Sequence, residues 1–576
     1  MRRRRGPMQS WGSRPVAAAT LGVLLTVAAC GGSSGGGTGG GGRAADASLP
    51  ITPPNVVAND AVHDGGTVTM ALEKDVPNLN SLSSDGTSLE STMVGNGIFP
   101  ATFVQQPDFT VSLNADLLES AEQTSTSPQT VVYKIKNNAI WSDGTPITAD
   151  DFVYNWQTQN GADAAYSAAT STGYEDITSV KGSDGGKTVT VTFSRAFADW
   201  KSLFSVLLPA HEMKALGDPH KTFNDGPTDI AKVSGGPFVL AAVDPNKSIT
   251  LKRNDKYYGP RAHLDTVVFS IVTDANSEPQ ALANNEVQVM YPQPQVDLVG
   301  NTRRIGSKIT SEQGLGPNFE HIDLNLANPF LSNPVLRKAV LTAIDRNQIL
   351  DATVKQFSKQ IGPLNNRMYI QGQSGYQDNV TAEGLGAGNV DAAKKILTDA
   401  GYRIDAGKLL DPSGKQVLAL RAVYATGNPI RQQELELVQH SLQPLGVGLD
   451  IKPTDDFGKT IFGSGDFDLA VFGWVGTPFP SSTNKSIYST DGGQNGGKYS
   501  NPQVDKNLTE AAGQPDATKV AQLLNDADQQ ISRDAVTLPL YQKPTFLAYY
   551  GTLGNVRNNS TSSGPTYNIG QWGFKN

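Results

Sequence analysis

Cysteine is almost absent from this sequence: Cys30 is the only one in 576 residues. A single thiol excludes a disulfide framework, a zinc site with two or more cysteine ligands and an iron–sulfur cluster held by the chain's own cysteines. Long apolar runs are missing outside residues 15–29, which excludes a transporter with many membrane-spanning helices. A chain of this length must be stabilised by its hydrophobic core, and we expect more than one domain.

Basic residues are in the minority and are unevenly placed. Of the 47 lysines and arginines, five are arginines within the first 14 residues, so the rest of the chain has 42 basic residues against 55 acidic ones. A surface with this excess of negative charge repels phosphate backbones and anionic membranes. We therefore expect no nucleic-acid partner.

Residues 1–29 have the features of a signal peptide, because arginines precede an apolar stretch that is too short to span a bilayer comfortably. The stretch ends in Val27-Ala28-Ala29-Cys30, which resembles a bacterial lipobox. That resemblance implies cleavage before Cys30 and lipidation of its thiol, which would anchor the protein to the outer face of the cytoplasmic membrane. The alternative is an ordinary signal peptide, or a signal anchor, with an incidental cysteine.

The composition of residues 30–65 predicts a flexible linker behind the lipidated cysteine. Nine of the twelve residues in 31–42 are glycine, a composition typical of an unstructured coil. Largely uncharged, proline-containing sequence continues towards Gly65. Such a linker would tether a folded protein to the membrane.

From residue 66 onward the pattern becomes regular and predicts an α/β protein. Thr67–Leu72 is a β-branched run typical of a strand, and Thr148 is placed to cap a helix. After about residue 317, helical and extended stretches alternate, which indicates an α/β lobe with a mixed sheet. The helical stretches are 333–345, 389–400 and 429–445, and the extended ones are 417–424, 448–452 and 467–474.

The motifs that could indicate catalysis do not fit their templates. Gly186-Lys187-Thr188 lacks the earlier glycine of a phosphate-binding loop, and Ala215 stands where a zinc protease that begins with His211-Glu212 would have its second histidine. The six histidines show no spacing of metal ligands. We therefore expect a protein that is not an enzyme and that has neither a metal nor a cofactor.

A longer motif gives the chain a family resemblance. Residues 140–154, IWSDGTPITADDFVY, match almost residue for residue a signature of the extracytoplasmic solute-binding proteins of family 5, the oligopeptide, dipeptide and nickel class that serves ABC importers. The resemblance runs from about residue 66 to 550. Further stretches resemble the family in the same order, namely 234–238, 251–259, 333–346, 392–402, 472–474, 499–505 and 538–541.

The resemblance implies a two-lobed periplasmic-binding-protein fold of the large, oligopeptide-binding type, with an extra subdomain on the first lobe. Lobe I would comprise residues 66–98, 212–316 and 537–576, the extra subdomain residues 99–211, and lobe II residues 317–536. It also implies ABC permease and ATPase subunits as partners, a peptide-like or amphipathic solute, and a monomer.

In this family two segments face the cleft: the loop after the first strand and the segment after a strand that ends in Gly-Trp. An indole and a phenyl ring would supply apolar surface there, and amides would supply hydrogen bonds. The open alternatives are core packing for the tryptophan and turn formation for the asparagines. The ligand-binding residues that the resemblance implies are Asn78, Asn80, Gly473, Trp474, Val475, Thr477 and Phe479.

Residues 470–480 carry no charge, although peptide-binding members of the family commonly have an aspartate shortly after the Gly-Trp. Burying an ammonium group without a carboxylate partner is unfavourable. Either the charge partner comes from elsewhere in the chain, or the solute is end-blocked, non-peptidic or amphipathic.

Two functional hypotheses follow. The leading one is a lipid-anchored binding protein that captures a peptide-like solute and delivers it to an ABC permease. The alternative is a nonclassical member of the family that binds a glycolipid or a cell-wall component and regulates the cell envelope. A nickel binder and a hydrolase are further possibilities, for which the sequence offers no ligand set and no nucleophile with a nearby base.

Overall fold

The computed structural model describes residues 55–576. The predicted signal peptide 1–29, the predicted lipidation site Cys30 and the linker as far as residue 54 lie outside this part of the chain. In residues 55–576, none of the helices combines the length and the apolar character that crossing a membrane requires.

Strands and helices alternate through most of the described chain. The strands are β1 (Val62–His63), β2 (Thr67–Leu72), β3 (Phe103–Gln105), β4 (Val111–Leu113), β5 (Leu118–Thr126), β6 (Gln129–Ile135), β7 (Ile177–Ser183), β8 (Thr188–Phe193), β9 (Phe238–Asp244), β10 (Ser248–Arg253), β11 (Thr266–Ile271), β12 (Val289–Met290), β13 (Ile309–Leu324), β14 (Arg403–Asp405), β15 (Lys408–Leu410), β16 (Leu420–Ala425), β17 (Leu449–Thr454), β18 (Leu469–Trp474), β19 (Thr537–Tyr550), β20 (Leu553–Gly554) and β21 (Gly573–Lys575).

The helices are α1 (Leu89–Gly95), α2 (Ala149–Gln159), α3 (Ala210–Ala215), α4 (Pro219–Asp225), α5 (Glu278–Ala283), α6 (Val296–Arg304), α7 (Pro334–Ala343), α8 (Arg346–Ala352), α9 (Val390–Asp399), α10 (Pro429–Leu442), α11 (Pro480–Tyr488), α12 (Pro502–Ala512) and α13 (Ala517–Arg533).

A ten-stranded mixed sheet runs through both lobes in the order β17-β16-β18-β13-β19-β12-β2-β11-β10-β9. Its centre is formed by the long strands β13 and β19, which pair antiparallel from Ile309 opposite Tyr550 to Asp323 opposite Thr537. One end of β13 also pairs with β18 of lobe II, whereas β19 also pairs with β12 of lobe I. We call β13 and β19 the crossing strands, because they join the two halves of the sheet.

The extra subdomain has its own sheet, in the order β5-β6-β8-β7, and its own core. Helix α2 begins with a capping box: the Thr148 side chain accepts from the N–H of Asp150, and the Asp151 carboxylate accepts from the N–H of Thr148. Trp141 is fully buried beneath it. The predicted cap at Thr148 is therefore confirmed, and most of the family motif is used to build this subdomain.

Residues 55–65 belong to the folded part of the protein. Val62–His63 pairs antiparallel with β21, and the Asn55 side-chain amide donates to the carbonyl of Leu553 at 3.0 Å. The predicted linker, residues 30–65, therefore extends too far at its C-terminal end. The pairing partner lies about 500 residues away in the sequence, as the Asn55–Leu553 separation of 498 shows, so local composition could not reveal it.

The helices predicted for lobe II are confirmed within a few residues. Helices α7, α9 and α10 occupy the predicted stretches, and each has an asparagine whose side chain caps its first turn. Helix α9 is followed by Gly401, whose φ of 83° lies in the left-handed region that glycine accepts readily. The predicted alternation of helices and strands in this lobe is thus correct.

Candidate ligand site between the lobes

The extra subdomain and lobe II are in contact. The Asp199 carboxylate accepts hydrogen bonds from the backbone N–H of Ser482 at 2.8 Å and from its hydroxyl at 2.9 Å, and the N–H of Ala198 donates to the carbonyl of Ala512 at 2.7 Å. Burial raises the pKa of Asp199, and the hydrogen bonds from Ser482 partly offset that rise. The residue before helix α11, Phe479, has no capping side chain. Asp199 thus caps α11 from the other side of the cleft.

The two faces of strand β18 lead to two different environments. Trp474 lies opposite Phe319 of β13, and Gly473 lies opposite Glu320. Because side chains alternate along a strand, the aromatic residues occupy one face and the glutamate occupies the other. These two faces define an aromatic pocket and a charged chamber.

The aromatic pocket is lined by Trp474 and by residues of β13, α11, the loop before α11 and the segment 367–373, which includes Arg367. Trp474 is 7% exposed and stacks on His321, with ring centroids 5.6 Å apart and an interplanar angle of 16°. Phe472 meets the indole edge to face at 5.0 Å. The indole N–H of Trp474 has no hydrogen-bond partner among residues 55–576. The pocket has a volume of about 30 Å³, which is close to that of one water molecule.

The residues predicted around Trp474 divide between the two faces. Val475, which is 57% exposed, and Thr477 also line the aromatic pocket. The carbonyl of Phe479 accepts from the Thr477 hydroxyl at 3.3 Å, so Phe479 shapes the turn into α11. A Cβ atom on Gly473 would lie 3.3 Å from Cδ of Lys543. Gly473 therefore adjoins the charged chamber rather than the aromatic pocket.

Asn78 and Asn80 are buried and use their side chains within lobe I. The Asn78 amide donates to the carbonyl of Asn224 at 2.6 Å and to the hydroxyl of Ser83 at 3.0 Å. The Asn80 amide donates to the carbonyl of Phe223 at 2.6 Å. The side-chain oxygen of each asparagine accepts from the backbone N–H two residues further on: Asn78 from Asn80, and Asn80 from Leu82. The structure thus gives both asparagines the turn-forming role that was the alternative to ligand binding.

The charged chamber is a cavity of about 450 Å³ between the lobes. Lobe I contributes Glu73, just after β2, and lobe II contributes Arg431 at the start of α10. The other lining residues of lobe I are Thr273, Asp274, Asn276 and the segment 293–295, and those of lobe II are Val354, Phe357 and the segment 427–430. The crossing strands contribute the remaining polar groups, which include Glu320, Tyr541 and Lys543. The cavity is thus built from both lobes and from the strands that join them.

Glu320 holds two cations at the wall of this chamber. Its carboxylate, which is 1% exposed, accepts from Nε of Arg431 and from Nζ of Lys543, each at 2.7 Å. Burial raises the pKa of Glu320, but the charges of Lys543 and Arg431 outweigh this and lower it to about 2. One ionised carboxylate therefore stands between two positive charges.

A second buried carboxyl group next to this cluster does not neutralise the excess charge. The Tyr541 hydroxyl donates to Glu434 at 2.6 Å, and the other carboxyl oxygen of Glu434 has no partner in the described part of the chain. Burial and the neighbouring Glu320 raise the pKa of Glu434 to about 8. Glu434 is therefore mostly protonated at pH 7, and the cluster of Glu320, Arg431, Lys543 and Glu434 carries a net positive charge.

The wall of the chamber that lobe I contributes carries acidic side chains, in contrast to the positive cluster. Glu73 accepts from the N–H of Gln293 at 3.3 Å, and Asp274 also lines the chamber. Burial raises the pKa of Glu73, an effect that the N–H of Gln293 reduces and the charge of Glu90 increases. Glu278 is 1% exposed, and burial together with the charge of Glu73 raises its pKa to about 9.

Sequence reasoning missed these charged groups because each lies outside the segments examined for the pocket. Arg431 is on the first turn of a helix, where charge is ordinary. Lys543 was an available signal, since it is the one charged residue of β19. Glu320 gave no such signal, because it is one of three acidic residues in β13. The expectation that the charge partner of a solute comes from elsewhere in the chain stays a prediction.

Comparison with known proteins shows which family the sequence of this chain matches. The model of the family "Bacterial extracellular solute-binding proteins, family 5 Middle" matches residues 112–498. The oligopeptide-binding protein OppA of Mycobacterium tuberculosis is 33% identical over 503 residues, which cover 86% of this chain and 83% of OppA. The probable monoacyl phosphatidylinositol tetramannoside-binding protein LpqW of the same species is 27% identical over 345 residues, covering 58% of this chain and 52% of LpqW.

Solved structures share the two-lobed fold. The periplasmic EDTA-binding protein EppA superposes with a TM-score of 0.86 and 36% identity, over 90% of this chain and 98% of EppA. The oligopeptide-binding protein AppA of Bacillus subtilis, in complex with a nonapeptide, superposes with a TM-score of 0.74 and 22% identity, over 89% of this chain and 100% of AppA. The predicted fold class, an α/β two-lobed binding protein of the oligopeptide-binding type, is confirmed.

Proposed function

Because the chain belongs to family 5 of the bacterial extracellular solute-binding proteins, we propose that it captures a peptide-like solute between its lobes and delivers it to the permease and ATPase subunits of an ABC importer. The main observation in support is the chamber of about 450 Å³, which is built from both lobes and the crossing strands. A cavity of this size that combines apolar and charged groups is typical of small-ligand sites. The matched relatives are binding proteins, and we infer that this chain is not an enzyme.

Isothermal titration with free di- to hexapeptides tests this function. We expect heat of binding for at least one peptide, together with a rise in melting temperature, since a ligand that binds only the folded state stabilises it. EDTA belongs in the same panel, because it also combines amine and carboxylate groups and EppA is named for binding it. If neither the peptides nor EDTA bind, the proposed solute class is wrong.

A second candidate function is supported by the similarity to LpqW, a probable binder of a mannosylated phosphoinositide. A glycolipid ligand would use the aromatic pocket for an apolar chain and would require it to widen well beyond its present 30 Å³. Mass spectrometry of the solute that co-purifies with the protein separates the two candidates. A glycolipid in place of a peptide-like compound would favour the second, with a regulatory role in the cell envelope.

We also propose that the protein is a lipoprotein, held to the outer face of the cytoplasmic membrane through Cys30. The resemblance of Val27-Ala28-Ala29-Cys30 to a lipobox supports this anchor, and two acyl chains on one cysteine suffice for durable membrane attachment. The substitution Cys30→Ser should move the protein from the membrane fraction to the soluble fraction. Retention of that variant at the membrane would contradict the lipid anchor.

A further inference from the structure

The walls of the charged chamber have opposite charge, and we propose that the chamber binds a zwitterionic solute, with its ammonium group at Glu73 and its carboxylate at Arg431 and Lys543. This inference rests on the proposed function, because it names the chemical class of solute that the same cavity takes. It also supplies the charge partners that residues 470–480 lack.

Arg431 and Lys543, which form the cationic wall of the chamber, have unused hydrogen-bond donors. Arg431 directs Nε and Nη2 to Glu320, and Lys543 directs Nζ to the same carboxylate. A guanidinium group has five N–H donors and an ammonium group has three. A single carboxylate therefore leaves both cations with unused donors and leaves the cluster with one positive charge in excess. Since both side chains line the cavity, a solute carboxylate could bind there without displacing Glu320.

Glu320 gives this wall its rigidity. Because the carboxylate is buried and bonded to both cations, it holds the guanidinium and the ammonium groups in place before a solute arrives. Binding then costs less conformational entropy than it would with two mobile surface side chains. Gly473 adjoins this arrangement: a Cβ atom there would lie 3.3 Å from Cδ of Lys543 and 3.4 Å from Nη2 of Arg431, so a larger side chain would crowd both cations.

The anionic wall has matching features. Glu73 lines the chamber from lobe I and accepts only the hydrogen bond from Gln293 at 3.3 Å among the contacts of the described residues. Asp274 adds a second negative charge to the same wall. An ammonium group placed here would be close to carboxylates and, through the solute, linked to Arg431 of lobe II and to Lys543 of crossing strand β19.

The two charged walls contain residues of different lobes, which relates solute binding to the closure of the lobes. Glu73 belongs to lobe I and Arg431 to lobe II, so a zwitterion that contacts both is bound only when the lobes are close together. Such a solute has higher affinity for the closed arrangement and shifts the equilibrium towards it. A compound with one charged end would contact one wall and should close the lobes less effectively.

End-blocking the solute tests the proposal. Each peptide of a di- to hexapeptide panel would be titrated by calorimetry in four forms: free, N-acetylated, amidated at the C-terminus, and blocked at both ends. We expect the free form to bind most tightly, with a loss of about tenfold or more for each blocked end, since each block removes one charge-assisted contact.

Variants assign each end to its wall. Arg431→Gln and Lys543→Gln should weaken binding of the free peptide by about tenfold or more and should largely abolish the preference for a free carboxylate. Glu73→Gln should abolish the preference for a free ammonium group. Arg431→Lys, which keeps the charge, should retain most of the carboxylate preference. The control is Lys452→Gln, which removes an exposed cation of lobe II that is paired with Asp450 and should leave affinity unchanged.

The outcomes separate this inference from the proposed function. Equal affinity for free and blocked peptides, or an unchanged preference in folded Arg431→Gln, Lys543→Gln and Glu73→Gln variants, would overturn the zwitterion site and leave peptide capture standing. Melting curves of each variant identify loss of folding. If no peptide and no EDTA bind in any form, the proposed function and this inference are both wrong.

Discussion

The aromatic pocket and the charged chamber lie on opposite faces of the same strands, and they differ in almost every physical property. The aromatic pocket is tightly packed, with about 30 Å³ of free volume, whereas the chamber has about 450 Å³ and is lined by three acidic and two basic side chains. The family signature Gly-Trp contributes to both, because Trp474 points into one and Gly473 borders the other. Adjacent residues of a strand can therefore serve a packed wall and a solute chamber at once.

The comparison predicts that the charged chamber depends on Glu320 for stability. Glu320→Ala should lower the free energy of unfolding by about 3 kcal/mol or more, because it leaves two partly buried cations without their carboxylate. Denaturant titration measures this change. Asp450→Ala, in an exposed pair with Lys452, should cost well under about 1 kcal/mol. Equal effects of the two substitutions would mean that the buried cluster contributes no more than a surface ion pair.

Trp474→Ala should show that the aromatic pocket is a packed element as well as a candidate ligand wall. The indole is 7% exposed and lies against His321 and Phe472, so truncation should cost about 3 kcal/mol of stability. Thermal melting of the solute-free variant measures the loss. Val475→Ala is the control, since its side chain is 57% exposed. An unchanged melting temperature for Trp474→Ala would instead mean that the indole serves only the solute.

Asp199→Ala should affect the lobe contact beside the aromatic pocket. It removes the cap of helix α11 that the extra subdomain supplies to lobe II, and loss of such a cap costs about 1 kcal/mol. We expect a larger radius of gyration in small-angle scattering, because the lobes separate more often. The exposed Glu122→Ala, on β5 of the same subdomain, is the control. A compact Asp199→Ala variant would show that this contact does not influence closure.

Glu434 gives the region beside the charged chamber a pH dependence. The pKa of Glu434 is about 8 in the folded protein against 4.5 for the ordinary side chain. The folded state therefore holds a proton that the unfolded state releases between pH 4.5 and 8, so this group's contribution to stability falls as the pH rises through that range. The slope is at most about 1.4 kcal/mol per pH unit.

Glu434→Gln isolates that contribution, since the amide keeps an acceptor for the Tyr541 hydroxyl and does not titrate. We expect denaturant titrations between pH 5 and 8 to show a smaller loss of stability with rising pH in the variant than in the unmodified protein. The comparison with the unmodified protein cancels the parallel contribution of Glu278, whose pKa is about 9. Identical slopes would mean that Glu434 is ionised throughout.

Sequence patterns anticipated much of the architecture because the signals are local. The cap at Thr148 and the helices α7, α9 and α10 depend on residues a few positions apart, so they could be recognised without a fold. The family motif at 140–154 led to the correct fold class. The start of the folded part was placed too late, because the strand at Val62–His63 exists only through its pairing with β21.

The candidate site was anticipated only in part. Trp474, Val475 and Thr477 lie together at one pocket, and their role in ligand binding stays a prediction. The roles of Asn78 and Asn80 in ligand binding remain without structural support, since their amides are bonded to lobe I. The charged residues of the chamber are spread from Glu73 to Lys543, and no spacing rule connects them.

From the sequence alone, the α/β class and the helices of lobe II could be determined, because short-range periodicity encodes them. The family could be identified from its resemblance to the motif at residues 140–154, and the lack of charge beside Trp474 is read directly from the sequence. The tertiary structure decided which charges meet. Glu320, Arg431 and Lys543 come from two crossing strands and a helix, and their mutual distance depends on strand register rather than on sequence separation. The electrostatic character of a cleft is a property of packed elements, and it emerges only when distant segments are brought within a few ångströms of one another.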